Sequence, residues 1–126
     1  MAKAINWPEA FREEILAENC EAERCAFRLG SLYYDSPYWV DGEIVDIRAN
    51  QRKVRQGIVQ GDLKLCTVDA LNPEDLQKQK STLQSKADVI SYLQETYGQP
   101  VTGESLITVV YYKNLPVVAE EIESPN

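Results

Sequence analysis

The chain contains no histidine. Histidine is the usual general base near neutral pH and the commonest zinc ligand, so its absence removes the routine forms of both. Cysteine is scarce: Cys20, Cys25 and Cys66 are the three in the chain. A structural zinc site takes four Cys or His ligands in paired knuckles, so no metal and no cofactor is expected. Long hydrophobic runs are also missing. A bilayer span needs roughly 18–20 apolar residues, whereas the longest strand-like apolar run is Leu106–Tyr112. The opening MAKAINWPEAFREE has no apolar core of the kind a secretory leader carries. These absences predict a cytoplasmic protein with reduced thiols and no membrane partner. There is no Walker A motif, no dinucleotide fingerprint and no Gly-x-Ser-x-Gly elbow. Cations are outnumbered, 13 against 20 acids, for a net charge of −7. Binding to bulk duplex DNA, which rests on Lys and Arg displacing counterions, is therefore not expected.

What is present describes a folded domain. With 126 residues, 44% of them hydrophobic, the chain can bury one core without staples. Residues 4–7 (AINW) read as a short strand, followed by a helix over Pro8–Ala17 with Asn6 as its cap and Phe11 and Ile15 on one face. Arg24–Leu29 alternates as a strand, with Cys25 and Phe27 on one side and Ala26 and Arg28 on the other. Leu32–Val40 is a loop with four aromatics around an Asp-Ser-Pro turn, and Asp41-Gly42 turns into a strand over Glu43–Ala49. From Lys53 to Leu71 the apolar phase slips twice beside Gly57 and Gly61, which predicts one long strand with bulges or sharp coiling. Asn72-Pro73-Glu74-Asp75 opens a helix, and Ser85 with Asp88 caps another that Gly98 ends. Leu106–Lys113 is apolar on both faces, as a central strand is.

The order β-α-β-β-β-α-α-β predicts an α+β fold: a small, strongly bent β-barrel with about three short helices. One domain over residues 1–115 and an acidic, flexible tail over residues 116–126 are expected.

Four segments in this order resemble the ASCH domain of the PUA-like superfamily. They are FREEILAEN after a short strand, DGEIVDIR as a Gly-turn strand, CTVDALNPEDL leading into a helix, and VISYLQETYG…ITVVYYK at the end. The resemblance covers roughly residues 5–113 and implies a small β-barrel with a cleft between barrel and helices, binding RNA or modified nucleosides. One branch of the family removes the acyl group from acetylcytidine with a Lys and a Thr from a Gly-x-Lys-Thr motif and a Glu on a later strand. Aligned without a gap, the Gly, Lys and Thr of that motif fall on Glu18, Cys20 and Glu21; with a three-residue insertion they fall on Glu21, Glu23 and Arg24. The strand Glu falls near Val59, and the nearest acid is Asp62. None of the three identities is kept, so no catalytic residue is expected. A looser Gly-x-Lys-x-x-Glu-x-Arg pattern is echoed by Glu23, with Cys25 at its Arg position and Arg24 alongside.

The resulting expectation is a non-catalytic module that binds RNA or a nucleotide-like small ligand in a cleft. Glu23 contacts the ligand, Arg24, Arg28, Arg48 and Arg52 hold its anionic groups, and Tyr33, Tyr34 and Trp39 stack on bases. The local strip Arg48, Arg52, Lys53, Arg55 and Lys64 fits a small anion better than a long duplex, and equally fits a solvated strand face. The aromatic loop serves either as a binding surface or as a lid on the core. Two other readings stand beside this one. The first is a diverged amidohydrolase on modified nucleosides using Glu23 and Asp62. The second is a protein-interaction domain using the acidic face of the first helix and the acidic tail.

Overall fold

The computed structural model describes residues 3–35 and 39–123. Ser36, Pro37 and Tyr38 of the aromatic loop, and the last three residues of the tail, lie outside the described residues. Six strands and three short helices follow one another as β1 (Ala4–Trp7), α1 (Arg12–Ala17), β2 (Arg24–Leu29), β3 (Ile44–Ala49), β4 (Arg52–Val59), β5 (Lys64–Thr67), α2 (Pro73–Gln77), α3 (Lys86–Tyr97) and β6 (Leu106–Asn114). No helix among the described residues is long and apolar enough to cross a membrane.

The helix signals in the sequence act as local chemistry dictates. Asn72 accepts a hydrogen bond from Asp75 N at 2.8 Å, Ser85 accepts one from Asp88 N at 3.1 Å, and Gly98 ends α3 with φ +65°. Pro8 introduces a 3-10 turn (Glu9–Phe11) before α1, and Asn6 does not cap it. Instead Asn6 Oδ1 accepts the backbone N–H of Gln51 at 2.7 Å.

The strands form one sheet in the order β1-β3-β4-β6-β2, with β5 paired to β6 off that path. β1 and β3 are parallel and every other pair is antiparallel. β6 organises the whole: β2 covers one edge, while β4 and β5 share the other at residues 112–114 and 106–109. Both faces of β6 are buried, as its apolar run predicts. Val110 and Tyr112 face a core containing Trp7, Ile15, Ile47 and Val54, while Ile107 and Val109 face a second core under α3, with Val89 and Leu93. Alternation along β2 does the same, sending Ala26 to the first core and Cys25 and Phe27 to the second.

The expected closed barrel is not formed. The sheet is open, because no ladder joins its terminal strands β1 and β2. The outer edge of β2 is satisfied by other groups. Cys25 N donates to Lys78 O at 3.3 Å, Gln79 Nε2 donates to Cys25 O at 2.6 Å, and Arg28 Nη1 donates to Phe27 O at 2.9 Å. Side chains and a loop thus occupy the positions a neighbouring strand would need.

The single long strand expected over Lys53–Leu71 is also divided. β4 ends at Val59, and Gly61 turns the chain with φ +72°, its N–H held by Asp41 Oδ1 at 2.7 Å. Gly57 has a different role: a Cβ there would meet Ile47 Cδ1 and Lys113 O at 3.1 Å, so the glycine permits close approach inside the sheet. The register shift lies on the β3–β4 ladder, between Ile47 and Arg48. At the C-terminal end, Lys53 Nζ pairs with Glu121 at 2.9 Å, and Lys53 N donates to Glu123 Oε2 at 2.9 Å, tying the described part of the tail to β4.

Burial gives the fold an alkaline limit. The Cys25 thiol is pushed up from 9.0 to about 12, chiefly by desolvation, and burial also raises Tyr111 and Tyr112. These groups stay protonated in the native state after the unfolded chain has released its protons, so stability present below their ordinary pKa is lost as pH rises. Lys80 acts oppositely, because desolvation lowers it from 10.5 and its contribution grows with pH up to that value. Above pH 10.5 only the falling contributions remain. Urea midpoints measured from pH 8 to 11.5 should fall steeply beyond pH 10.5, and Cys25→Ala should fall less over the same interval.

Candidate functional site

Arg28 lies where the sheet stays open. It is 8% exposed, and its Nη2 reaches Asn6 O of β1 at 3.5 Å, spanning the gap between the two terminal strands. Its guanidinium carbon sits 5.8 Å from the centre of the Tyr33 ring, and Tyr33 rests edge-on against Trp39 at 5.4 Å. Arg28 and Tyr33 line a cavity of about 360 Å³ together with Phe27, Tyr92, Thr96 and Tyr97.

A second cavity, of about 630 Å³, adjoins it and shares Asn6, Gln51, Tyr92 and Thr96 with it. The two are lobes of one cleft between α3 and the β1 edge with the β3–β4 hairpin. Aromatic rings line the larger lobe. Trp7 contacts Phe11 at 5.7 Å and Tyr92 at 6.2 Å, and Phe11 meets Tyr92 at 6.2 Å. Asp88, Ser91 and Glu95 of α3 line it as well. Burial holds the Tyr92 phenol above its ordinary pKa, with Arg28 and Thr96 acting in the other direction, so Tyr92 remains a neutral ring with a hydroxyl donor. The cleft therefore combines aromatic rings, amides, the carboxylates of Asp88 and Glu95 and one guanidinium.

The residues anticipated from sequence are only partly brought together. Arg28 and Tyr33 share the smaller lobe, and Trp39 braces Tyr33 while packing on the core. Tyr34 is 46% exposed and lines neither lobe. Glu23 pairs with Lys78 at 2.6 Å, and Arg24 faces Glu18 at 3.8 Å. Arg24 lies four residues before Arg28, which at roughly 3.3 Å per strand residue is about 13 Å away. Arg48 pairs with Asp46 at 3.1 Å on the face of β3 turned away from Val45, Ile47 and Ala49. Arg52 opens β4 and adds to the positive field at Glu9, whose carboxyl is held down chiefly by its hydrogen bond with Arg12. Asp62 is exposed in the turn between β4 and β5. Sequence reasoning missed Asn6, Gln51, Tyr92 and Thr96. The legible signal was the stripe Asp88, Tyr92, Glu95 and Thr96, at helical spacing beside the apolar stripe of Val89 and Leu93.

No protein-family model matches the chain, and no curated protein matches it. Among solved structures it is similar to protein EF3133 from Enterococcus faecalis V583, of the family model DUF984. The TM-score is 0.63 at 8% identity, covering 98% of this chain and 86% of that one. At that identity the likeness concerns the fold alone.

A second polar cluster was not anticipated. Lys80, 1% exposed, places Nζ 2.9 Å from Glu18 Oε2, 3.5 Å from the Tyr112 hydroxyl and 4.1 Å from the centre of the Trp7 ring. Asn114 Nδ2 donates to Glu18 Oε1 at 3.1 Å. Desolvation lowers the Lys80 pKa while Glu18 opposes it. A lysine so perturbed has the chemistry of a base, but Lys80 is buried away from solvent and lines neither lobe. It joins the end of α1, the segment after α2 and β6. Removing one partner strands a buried charge, which costs about 3–5 kcal/mol. Glu18→Ala should lower unfolding free energy by about that amount in chemical denaturation, and adding Lys80→Met should recover a large part of the loss.

Proposed function

We propose that the protein is a non-catalytic binding module that holds a nucleotide-like small ligand in the two-lobed cleft. Arg28 carries this reading. It is buried beside the cavity, and its contacts among the described residues are neutral: two backbone carbonyls and the Tyr33 ring. A buried cation without an anionic partner is costly, and an anionic group entering the smaller lobe would relieve that cost. Tyr33 and Tyr92, both partly exposed, offer rings for a planar base, with the buried Trp7 packed behind Tyr92, and Asn6 and Gln51 offer amides.

The charge of the larger lobe supports a small ligand over a long one. Asp88 and Glu95 line it, and the whole chain carries −7, so a phosphate chain running through both lobes would meet repulsion. A ligand with one anionic end, on Arg28, and hydroxyl or amino donors at the other suits both lobes. The resemblance of the sequence to ASCH domains favours the same ligand class. Glu23 and Asp62 lie outside the cleft, so nothing in the geometry favours the hydrolase reading built on them.

Titration with the four ribonucleoside monophosphates, followed by calorimetry at low salt, tests the proposal. Wild type should bind at least one of them saturably. Loss of a charged hydrogen bond is worth about 1.5–3 kcal/mol, so Arg28→Gln should weaken binding about 10-fold or more. Tyr33→Ala should also weaken it, while Tyr34→Ala should leave it within about two-fold. Absence of saturable binding by wild type, or an Arg28→Gln variant that binds as wild type does, would overturn the reading. A single-stranded RNA that binds better than every monophosphate would replace the small ligand with RNA.

A further inference from the structure

We infer that Gln51 reads the polar edge of the bound base, and that the β3–β4 hairpin is held in a costly conformation to present it. This rests on the cleft reading above. Ala49 pairs with Arg52, so the hairpin turns on Asn50 and Gln51 alone, with φ of +51° and +66°. Positive φ at both central positions belongs to the mirror-image turn that most often takes Asn followed by Gly. Asn tolerates this region through its short polar side chain, but Gln has no such advantage and carries the full Cβ penalty.

Strain of this kind persists only where surrounding contacts over-determine it, and three do so here. Asn6 Oδ1 accepts Gln51 N at 2.7 Å, Asn50 N donates to Trp7 O at 2.8 Å, and Arg12 Nη2 donates to Ala49 O at 3.0 Å. The clamp comes from β1 and the start of α1, which also supply Asn6, Trp7 and the neighbouring wall of the cleft. A glycine would fit the turn without penalty, so the turn itself does not explain Gln51.

Its position does. Gln51 lines both lobes with Tyr92 and Thr96, at the junction between the aromatic lobe and the Arg28 lobe. Gln51 is exposed, and its side-chain amide has no hydrogen-bond partner among the described residues, so its donor and acceptor can exchange water for a ligand at that junction. An amide pairs side by side with the adjacent donor and acceptor of a base edge, the geometry by which Gln recognises adenine. Arg28, Tyr92 and Gln51 all line the smaller lobe, so a ligand with its phosphate on Arg28 and its ring near Tyr92 shares that lobe with Gln51.

The experiment pairs stability with discrimination. Calorimetric titration of wild type, Gln51→Gly and Gln51→Ala with AMP, CMP, GMP and UMP gives the spread of affinities, and thermal unfolding gives Tm. Wild type should discriminate among the four by at least about five-fold. Gln51→Gly should raise Tm by a few degrees and compress the spread to within about two-fold, while keeping its dependence on Arg28. Gln51→Ala should lose the discrimination without the gain in Tm. Retention of the wild-type ranking and spread by both variants would overturn the inference and leave the cleft reading intact, as would wild type binding all four equally. If wild type binds none of the four, both fall together.

Discussion

The structure depends on what occupies the outer edge of β2. A strand edge with unpaired N–H and C=O groups must be paired, covered or solvated. Here the Lys78–Gln79 backbone and side chain take the groups of Cys25, and the Arg28 guanidinium takes the carbonyl of Phe27. β1 is thereby kept from pairing, and among the described residues the hydrogen bond across the gap is the 3.5 Å one from Arg28 Nη2 to Asn6 O. Had β1 and β2 paired, the sheet would have closed and the gap would have been sealed by a ladder. The cleft exists because a side chain stands in for a strand.

That substitution needs the surrounding frame to be rigid. β6 provides part of the rigidity, with strands along both edges and a core on each face. The buried Lys80–Glu18 pair provides another part, fixing the segment that covers the β2 edge to α1 and to Tyr112 and Asn114 of β6. Trp7 connects this pin to the site. One face of its ring receives the Lys80 ammonium at 4.1 Å, and the ring packs edge-to-face with Phe11 and at a 33° tilt to Tyr92 in the larger lobe. The aromatic wall of the cleft is thus set by the same contacts that hold the scaffold together.

Local signals were legible in the sequence, and long-range ones were not. Caps at Asn72 and Ser85 and the stop at Gly98 rest on neighbours within a few residues, the double-sided burial of Leu106–Lys113 is written in its own apolar run, and each forms as read. Phase slips around Gly57 and Gly61 announced irregularity without telling a bent strand from two strands. That depended on Asp41, twenty residues earlier, holding Gly61 N. Barrel closure depended on a competition between β1 and a loop more than fifty residues further along for one edge. For the site, Arg28 and Tyr33 were legible as a cation and a ring beside each other. Gln51 was not, since an isolated glutamine carries no pattern until a positive φ and a cavity give it one.

Ion pairing separates scaffold from site in the stretch AENCEAERCAFR. Glu18 is taken by Lys80, Glu23 by Lys78 and Arg24 by Glu18, so these charges are engaged within the fold. The instructive contrast is between two buried arginines. Arg55 spends its guanidinium on the carbonyls of Ile15, Glu18 and Leu115, with Cys20 Sγ at 3.4 Å, and so closes the end of α1. Arg28 has one good carbonyl bond and one at 3.5 Å, and it faces a cavity. Among the described residues neither of these buried cations meets a carboxylate, yet one has nearly exhausted its donors and the other has not. Donor capacity left unused beside an aromatic cavity distinguishes a guanidinium that holds a fold from one positioned to hold an anion.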